Sequence, residues 1–144
     1  MYSEDPQVYH DAMARLKRKI DGARDHLPAP VIREEEKKDL GVIFYGSMEN
    51  SIVEIDDMLE ESGLSVSTCR VRALPLHSGV EDFVRRHDKT IVLEINRDGQ
   101  LFGIIRKEFP AELIPKIHSV SYSDGMPPRA RVYSDMIQEV LEGL

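Results

Sequence analysis

The most polar stretch that follows a predicted strand in this chain is Asn96-Arg97-Asp98-Gly99-Gln100. A guanidinium such as that of Arg97 can form two parallel hydrogen bonds with a carboxylate or a phosphate. Asp98 could neutralise this charge or cap the next helix, and Gly99 would permit an unusual backbone angle or the close approach of another chain. Two interpretations stay open: a local arginine–aspartate pair at a helix N-terminus, or a contact with a neighbouring subunit or its ligand.

Two further motifs could bind an anion. Gly46-Ser47 follows a strand, and a helix N-terminus after such a turn can hold phosphate. The segment lacks the spacing of both the GxGxxG and the GKS/GKT loops, so a tight turn in which Ser47 caps the helix is favoured. Arg70 and Arg72 lie two apart on one strand, hence on one face, where they could meet an acidic partner. Pairing with nearby Glu and Asp is the favoured alternative, because the chain is acidic.

Nucleophiles and metal ligands are few and scattered. The five histidines show neither H-x₃-H nor HExxH spacing, so a metal site is not expected. Cys69 lies within a predicted strand with no redox motif beside it, and we interpret it as a core residue rather than a nucleophile. The segment Tyr45–Glu49 lacks the second glycine of a G-x-S-x-G elbow. The residues by themselves therefore form no catalytic constellation.

Composition narrows the class of protein further. The chain has 144 residues, of which 26 are acidic and 19 basic, for a net charge of −7. This balance argues against a nucleic-acid partner. One cysteine excludes an intrachain disulfide and a cluster held by cysteines of this chain alone. No apolar run approaches about 18 residues, and the acidic start does not resemble a signal peptide. We expect a soluble, cytoplasmic protein with no membrane partner.

The first forty residues differ in pattern from the rest. Asp5-Pro6 is a helix start signal, and apolar residues then recur every three or four positions until Pro28-Ala-Pro30 ends the pattern. A solvated charge run follows, from Arg33 to Asp39. These patterns predict a leading helix and a linker over residues 1–40, and a domain proper over residues 41–144.

Strands and helices alternate from Leu40 onward. Apolar or β-rich runs predict strands near 40–45, 64–74, 90–95 and 117–122, each followed by a helical pattern. This alternation predicts an α/β fold with a largely parallel sheet and helices on both faces. Ligands and partners of such sheets meet the carboxyl ends of the strands. The candidate interface or ligand contacts at these ends are Tyr45, Gly46, Ser47, Arg72, Asn96, Arg97, Asp98, Gly99 and Gln100.

The junction motifs, taken in order, match those of a known family. They are Arg15-Leu-Lys-Arg-Lys19 with Pro28-Ala-Pro30, Tyr45-Gly-Ser47, Arg72-Ala-Leu-Pro75, Asn96-Arg-Asp-Gly-Gln-Leu101 and Asp124-Gly-Met-Pro127. The series resembles the C-terminal region of the alpha subunit of 2-oxoacid:ferredoxin oxidoreductases, in the 2-oxoglutarate-type branch, over essentially the whole chain. The family often has glutamine before Asn-Arg-Asp, where this chain has Ile95.

The resemblance implies a three-layer α/β/α domain like the C-terminal domain of transketolase. It implies a parent enzyme with thiamine diphosphate, Mg and an iron–sulfur cluster, which converts a 2-oxoacid and coenzyme A to acyl-CoA and passes electrons to ferredoxin. None of these cofactors is expected in this chain. The implied role is non-catalytic assembly with a pyrimidine-binding domain and a beta subunit, the chain being a fragment or split subunit.

A different class of function stays open beside this one. The chain could be a stand-alone α/β module in which Ser47 and Arg97 hold an anionic small ligand such as coenzyme A. A hydrolase or reductase that uses Cys69 or a histidine has no support from the spacing of these residues.

Overall fold

The computed structural model describes residues 4–36 and 39–144, and within them five strands form one sheet flanked by helices. The strands are β1 (Val31–Arg33), β2 (Leu40–Tyr45), β3 (Val66–Val71), β4 (Lys89–Glu94) and β5 (Ile117–Ser121). The α-helices are α1 (Pro6–Ala23), α2 (Ile52–Glu61), α3 (Ser78–Arg86), α4 (Gln100–Glu108) and α5 (Ala130–Glu142). Short 3₁₀ helices cover Arg24–His26, Gly46–Asn50 and Ala111–Lys116.

The sheet is parallel except for one edge strand. The strand order is β1-β3-β2-β4-β5, and only β1 runs antiparallel to its neighbour. Val42 in the central strand lies beside Thr68 on one side and Ile91 on the other. The expected mostly parallel sheet is therefore confirmed, and its central strands are apolar because both of their faces are covered.

Two hydrophobic cores lie on opposite faces of the sheet. One contains Ile55 and Leu59 of α2 with Tyr133 and Ile137 of α5. The other contains side chains of α3 and α4, among them Phe83. Helices thus cover both faces, which gives the three-layer α/β/α arrangement that the resemblance implies. Because α2 follows β2 on one face and α4 follows β4 on the other, these neighbouring strands flank a topological switch point.

Helix α2 ends at a glycine turn. Gly63, with φ of +82°, follows the last turn. Its N–H donates to the Glu60 carbonyl (2.8 Å), and the Leu64 N–H donates to the Leu59 carbonyl (2.9 Å). These two bonds form a Schellman motif, which satisfies carbonyl groups that the helix end leaves free.

Strand β1 lies inside the stretch that was predicted to be a linker. Three residues, Val-Ile-Arg, are too few to show an alternating pattern, so pairing with β3 rather than local sequence defines this strand. The Arg33 guanidinium also forms an ion pair with Asp56 of α2. The division of the chain at residues 40 and 41 itself stays a prediction.

Helix α1 is present where the sequence predicts it but packs against little. The Asp5 carboxylate accepts from the Gln7 N–H (2.8 Å) and so caps the helix, as the Asp-Pro start signal indicates. None of the α1 residues is buried. Just beyond it, Arg24 forms an ion pair with Glu108 of α4 (2.8 Å). No helix in the described part of the chain is long and apolar enough to span a membrane.

Candidate functional site

A groove of about 490 Å³ opens at the carboxyl ends of β2 and β3, beside the N-terminus of α4. It is mostly apolar, with one guanidinium, one amide and one phenol at its walls. Its lining residues are Tyr45, Gly46, Val71, Arg72, Ala73, Leu74, Gln100, Leu101 and Ile104. Four of the nine candidate residues, Tyr45, Gly46, Arg72 and Gln100, thus share one groove. The other five lie outside its lining.

A side chain at the carboxyl end of β4, which was not among the predicted site residues, binds the start of α4. Glu94 is fully buried. Its Oε1 accepts from the Leu101 N–H (2.6 Å), and its Oε2 accepts from the Phe102 N–H (3.1 Å). A side chain from the preceding strand thus satisfies two N–H groups that a helix start leaves free. The available signal was the single acidic residue within the apolar strand.

Asn96 connects this buried carboxylate with the groove. Its Oδ1 accepts from the N–H groups of Asp98 (3.0 Å) and Gly99 (2.7 Å), which forms the turn. Its Nδ2 donates to Glu94 Oε1 (3.0 Å) and to the Tyr45 hydroxyl (3.2 Å). Asn96 therefore holds the turn before α4 and orients a phenol of the groove, without itself lining the groove.

Gly99 has a conformation and a contact that favour glycine. Its φ is +61°, in the left-handed region. A Cβ atom at this position would lie 3.1 Å from Ser119 Oγ and 3.2 Å from Ser121 Oγ. The prediction that this glycine permits an unusual backbone angle is confirmed.

Arg97 is occupied by its neighbour. Its Nε and Nη2 donate to the two carboxylate oxygens of Asp98, at 2.7 and 3.1 Å, and this hydrogen bonding raises the pKa of Arg97. The Arg97 side chain is 88% exposed and lies outside the groove lining. The local arginine–aspartate pair therefore forms, while a contact of these residues with another subunit stays a prediction.

The capping role expected for Ser47 is wrong. Residues 46–50 form a 3₁₀ helix, and Ser51 is the residue that precedes α2. The Ser51 hydroxyl donates to the Pro128 carbonyl (2.8 Å), which ties this start to the loop before α5. Ser47 itself is exposed.

The two arginines near the end of β3 have different surroundings. Arg70 forms an ion pair with Glu49, as the favoured interpretation of local pairing predicts. Arg72 is exposed, lines the groove and has no ion pair within the described residues. Of the cationic candidates at this edge, Arg72 is therefore the one that lines the groove.

The described residues offer no ligand set for a metal ion or an iron–sulfur cluster. Cys69 is fully buried in β3, and burial raises the pKa of its thiol to about 12, so it is neither an exposed ligand nor a thiolate. Among residues 4–36 and 39–144, no group of three His, Cys, Asp or Glu side chains could hold a metal ion. The interpretation of Cys69 as a core residue is confirmed.

Solved structures share this fold, among them an oxidoreductase and a transketolase. The first is "2-oxoglutarate:ferredoxin oxidoreductase from Magnetococcus marinus with 2-oxoglutarate, coenzyme A and succinyl-CoA bound", with a TM-score of 0.75 and 23% identity. The match covers 95% of this chain and 24% of that one. The second is "Split gene transketolase, inactive beta4 tetramer", with a TM-score of 0.55 and 18% identity over 75% of this chain and 40% of that one.

The structural matches agree with the fold that the resemblance implies, that of a transketolase C-terminal-like domain. No protein-family model matches the sequence, and no curated protein matches it significantly. The chain spans about a quarter of the length of the first structure. At this level of identity the likeness shows the fold alone.

Proposed function

We propose that this chain is a non-catalytic assembly domain of the alpha subunit of a thiamine-diphosphate-dependent 2-oxoacid:ferredoxin oxidoreductase. The parent enzyme would decarboxylate a 2-oxoacid oxidatively with coenzyme A, giving acyl-CoA, and would reduce ferredoxin in the cytoplasm. The observation that carries the proposal is the match of 95% of the chain to part of an enzyme of this class.

The chemistry of the strand ends supports a packing role. The groove offers an apolar wall, one free guanidinium and no nucleophile or acid–base pair. Its exposed apolar residues include Leu74, which is 54% exposed, and Tyr45. An apolar surface with a polar border is typical of a protein interface. In the proposal, this edge contacts a pyrimidine-binding domain or the beta subunit, and thiamine diphosphate, Mg and the iron–sulfur cluster reside on those partners.

The decisive experiment is isolation of the native complex. A tagged form of the chain, expressed in its source cell, is expected to co-purify with larger subunits that carry iron–sulfur absorbance. The complex should reduce ferredoxin only when a 2-oxoacid and coenzyme A are both present. The purified chain alone should neither bind thiamine diphosphate in calorimetry nor turn over a 2-oxoacid. Turnover by the chain alone, or a native complex without this activity, would contradict the proposal.

A groove variant locates the contact within that complex. Leu74→Glu places a charge on the exposed apolar wall, and we expect it to reduce co-purification of the larger subunits at least tenfold. Ala111→Glu is the matched control, because this exposed alanine begins the 3₁₀ helix before β5, at the opposite edge of the sheet. Equal recovery from both variants would exclude the groove as the assembly surface.

The alternative function, a module that binds an anionic ligand such as coenzyme A, is favoured by one observation. Arg72 presents a cation without an ion pair, among the described residues, at a cavity of ligand size. Arg97 and Ser47, the residues first expected to hold the anion, do not line this cavity. A thermal shift of the chain with coenzyme A that is lost in Arg72→Ala would favour this alternative, whereas no shift would favour assembly.

A further inference from the structure

Helix α1 carries an apolar stripe that no described part of the chain covers. Val8, Met13, Leu16 and Ile20 are each between 43% and 49% exposed. Their spacing of three to five residues places them along one side of the helix. A solvent-exposed helix gains nothing from such a stripe, because burial of the apolar side is what stabilises amphipathic helices in proteins.

Cationic side chains border this stripe. Arg15 and Lys19 line a shallow groove on α1 together with apolar side chains of the stripe. Within the described residues, neither of them forms an ion pair. Over Pro6–Ala23 there are four basic and two acidic residues, so the helix carries a charge of +2. The occupant of the stripe should therefore present carboxylates beside apolar atoms.

Helix α2 presents such a surface. Over Ile52–Glu61 it has five acidic residues and no basic one, for a charge of −5. A pocket of about 300 Å³ lies between α2 and strands β1 and β3, lined by Arg33, Ile52, Val53, Asp56, Asp57, Glu60 and Thr68. Val53 is 68% exposed, which makes it an apolar centre with carboxylates around it. Asp57 and Glu60 are exposed and form no ion pair with other described residues.

Asp56 adds a buried carboxylate to this pocket, and one of its two oxygens has no hydrogen-bond partner among the described residues. Its side chain is only 9% exposed, and it pairs with Arg33 through one oxygen, Oδ2. The other oxygen, Oδ1, has no hydrogen-bond partner in the described part of the chain. Burial raises the pKa of Asp56, with Arg33 opposing this rise and the charges of Glu60 and Glu35 adding to it. A further cation at the pocket would offset this excess of negative charge.

We propose that the chain self-associates, with α1 of one copy docking on the α2 pocket of a second copy. The apolar stripe of α1 would cover Val53, and Arg15 and Lys19 would face Asp57 and Glu60. A second copy is the occupant that the charges favour, because the same chain carries both surfaces with opposite sign. An anionic lipid surface fits less well, since it could face the cationic side chains of α1 but would supply no cation to the acidic α2 pocket. This inference does not rest on the proposed function.

Sedimentation velocity of the full chain tests the association. At low ionic strength we expect species heavier than the 16.4 kDa chain, with the heavier fraction growing with concentration and shrinking in high salt. Either a closed dimer or a longer array supports the proposal, because both use the same two surfaces. A single 16.4 kDa species at every concentration and salt level overturns it.

Two substitutions on α1 distinguish an effect of the apolar stripe from an effect of added charge elsewhere on the helix. Leu16→Glu should shift the midpoint concentration of association at least tenfold upward. Ala14→Glu adds the same charge about 200° away around the helix, given about 3.6 residues per turn, and should shift it less than twofold. Circular dichroism of both variants checks that α1 still forms. Equal effects of the two substitutions overturn a role for the stripe.

A mixing experiment identifies the docking partner on the second copy. The Leu16→Glu chain keeps its pocket, and an Asp57→Lys, Glu60→Lys chain keeps its helix. Each alone should sediment as a monomer, and the equimolar mixture should recover heavier species through one intact helix–pocket contact. If the double lysine variant self-associated on its own, the α2 pocket would not be the docking site, and pairing of α1 with α1 would be favoured. A monomeric wild type that cosediments with phosphatidylserine vesicles would overturn the proposal in favour of a membrane surface.

Discussion

Glu94 is the residue that most directly couples the sheet to the candidate groove. Its carboxylate accepts hydrogen bonds from two backbone N–H groups at the start of α4 and from the Asn96 amide. Asn96 in turn donates to the Tyr45 hydroxyl at the groove wall. The position of one groove residue thus depends on a carboxylate that has no access to solvent.

Replacing Glu94 with glutamine tests this coupling. The substitution keeps one acceptor oxygen and replaces the other with a donor, so an N–H group of α4 loses its partner. We expect Glu94→Gln to lower the free energy of unfolding by about 2 kcal/mol in urea denaturation. Glu54→Gln, an exposed substitution in the first turn of α2, should change it by less than about 0.5 kcal/mol. Equal stability of both variants with the wild type would contradict the capping role of Glu94.

Two glycines with the same backbone angle separate dihedral strain from crowding. Gly46 and Gly99 have φ values of +63° and +61°. Of the two, only Gly99 has atoms that would lie within 4 Å of an added Cβ. Gly46→Ala should lower the unfolding free energy by about 1–2 kcal/mol through the left-handed conformation alone. Gly99→Ala should lower it further, because its Cβ crowds Ser119 and Ser121. Equal losses in urea denaturation would show that the serine contacts cost nothing.

Cys69 is predicted to be unreactive in the folded chain. Because burial raises its pKa from 9.0 to about 12, the thiol stays protonated at pH 8, and we expect labelling by a thiol reagent to be slow and accelerated by denaturant. Above pH 9.0 the unfolded chain loses this proton while the folded chain keeps it. The contribution of the protonated Cys69 thiol to the free energy of unfolding is therefore fully present below pH 9.0. It declines as the pH rises from 9.0 to about 12.

A relocated cysteine is the control for this labelling. Ser47→Cys in a Cys69→Ala chain puts a thiol at an exposed position, where labelling should be fast without denaturant. Rapid labelling of wild-type Cys69 under native conditions would contradict its assignment to the core.

At the scale of elements, the close packing of α3 on the sheet depends on a residue without a side chain. A Cβ at Gly41 in β2 would lie 2.6 Å from Phe83 Cε1 and 3.1 Å from His87 Cγ. Both rings are fully buried and in contact, with centroids 4.2 Å apart. The α3 helix therefore approaches the central strand more closely than an alanine would allow.

Gly41→Ala measures this approach. We expect the substitution to lower the unfolding free energy by about 1–3 kcal/mol, because buried rings must shift to admit the methyl group. The loss should be smaller when Gly41→Ala is made in a Phe83→Leu chain. Gly103→Ala, in α4 with nothing within 4 Å, should instead raise stability by about 0.5–1 kcal/mol. If Gly41→Ala left the free energy of unfolding unchanged, α3 would be able to shift away from the sheet without a loss of stability.

Element types were predictable from the sequence to different degrees. Strands β2 to β5 and all five α-helices follow from apolar runs and helical spacing, which are local signals. Strand β1 and the 3₁₀ helix Ala111–Lys116 were missed. Each is short, and β1 is defined by its pairing with Arg70, Cys69 and Thr68 of a strand far along the chain.

At the scale of the whole molecule, the α/β unit and helix α1 should be energetically separate. No residue of α1 is buried, and the ion pair between Arg24 and Glu108 lies just after it. Removal of residues 1–23 should therefore change the unfolding free energy by less than about 1 kcal/mol, since it removes no buried side chain and keeps Arg24 in the chain. The measurement is urea denaturation at protein concentrations too low for self-association.

A second truncation serves as the control. Removal of residues 130–144 takes Tyr133 and Ile137 out of the core and should leave the chain unfolded. If removal of residues 1–23 were equally damaging, α1 would belong to the folding unit.

By itself, the sequence determined the α/β class, the mostly parallel sheet, the leading helix, the burial of Cys69 and the strand ends as the place of the candidate residues. These follow from hydrophobic periodicity and turn residues, which act over a few neighbouring positions. Only the tertiary structure decided that Tyr45, Arg72 and Gln100 share a groove, that Arg97 is neutralised by Asp98 and that Glu94 caps α4. It also left the α1 stripe uncovered. Such outcomes depend on contacts between residues distant in the chain or on side-chain geometry, and neither is encoded in local spacing.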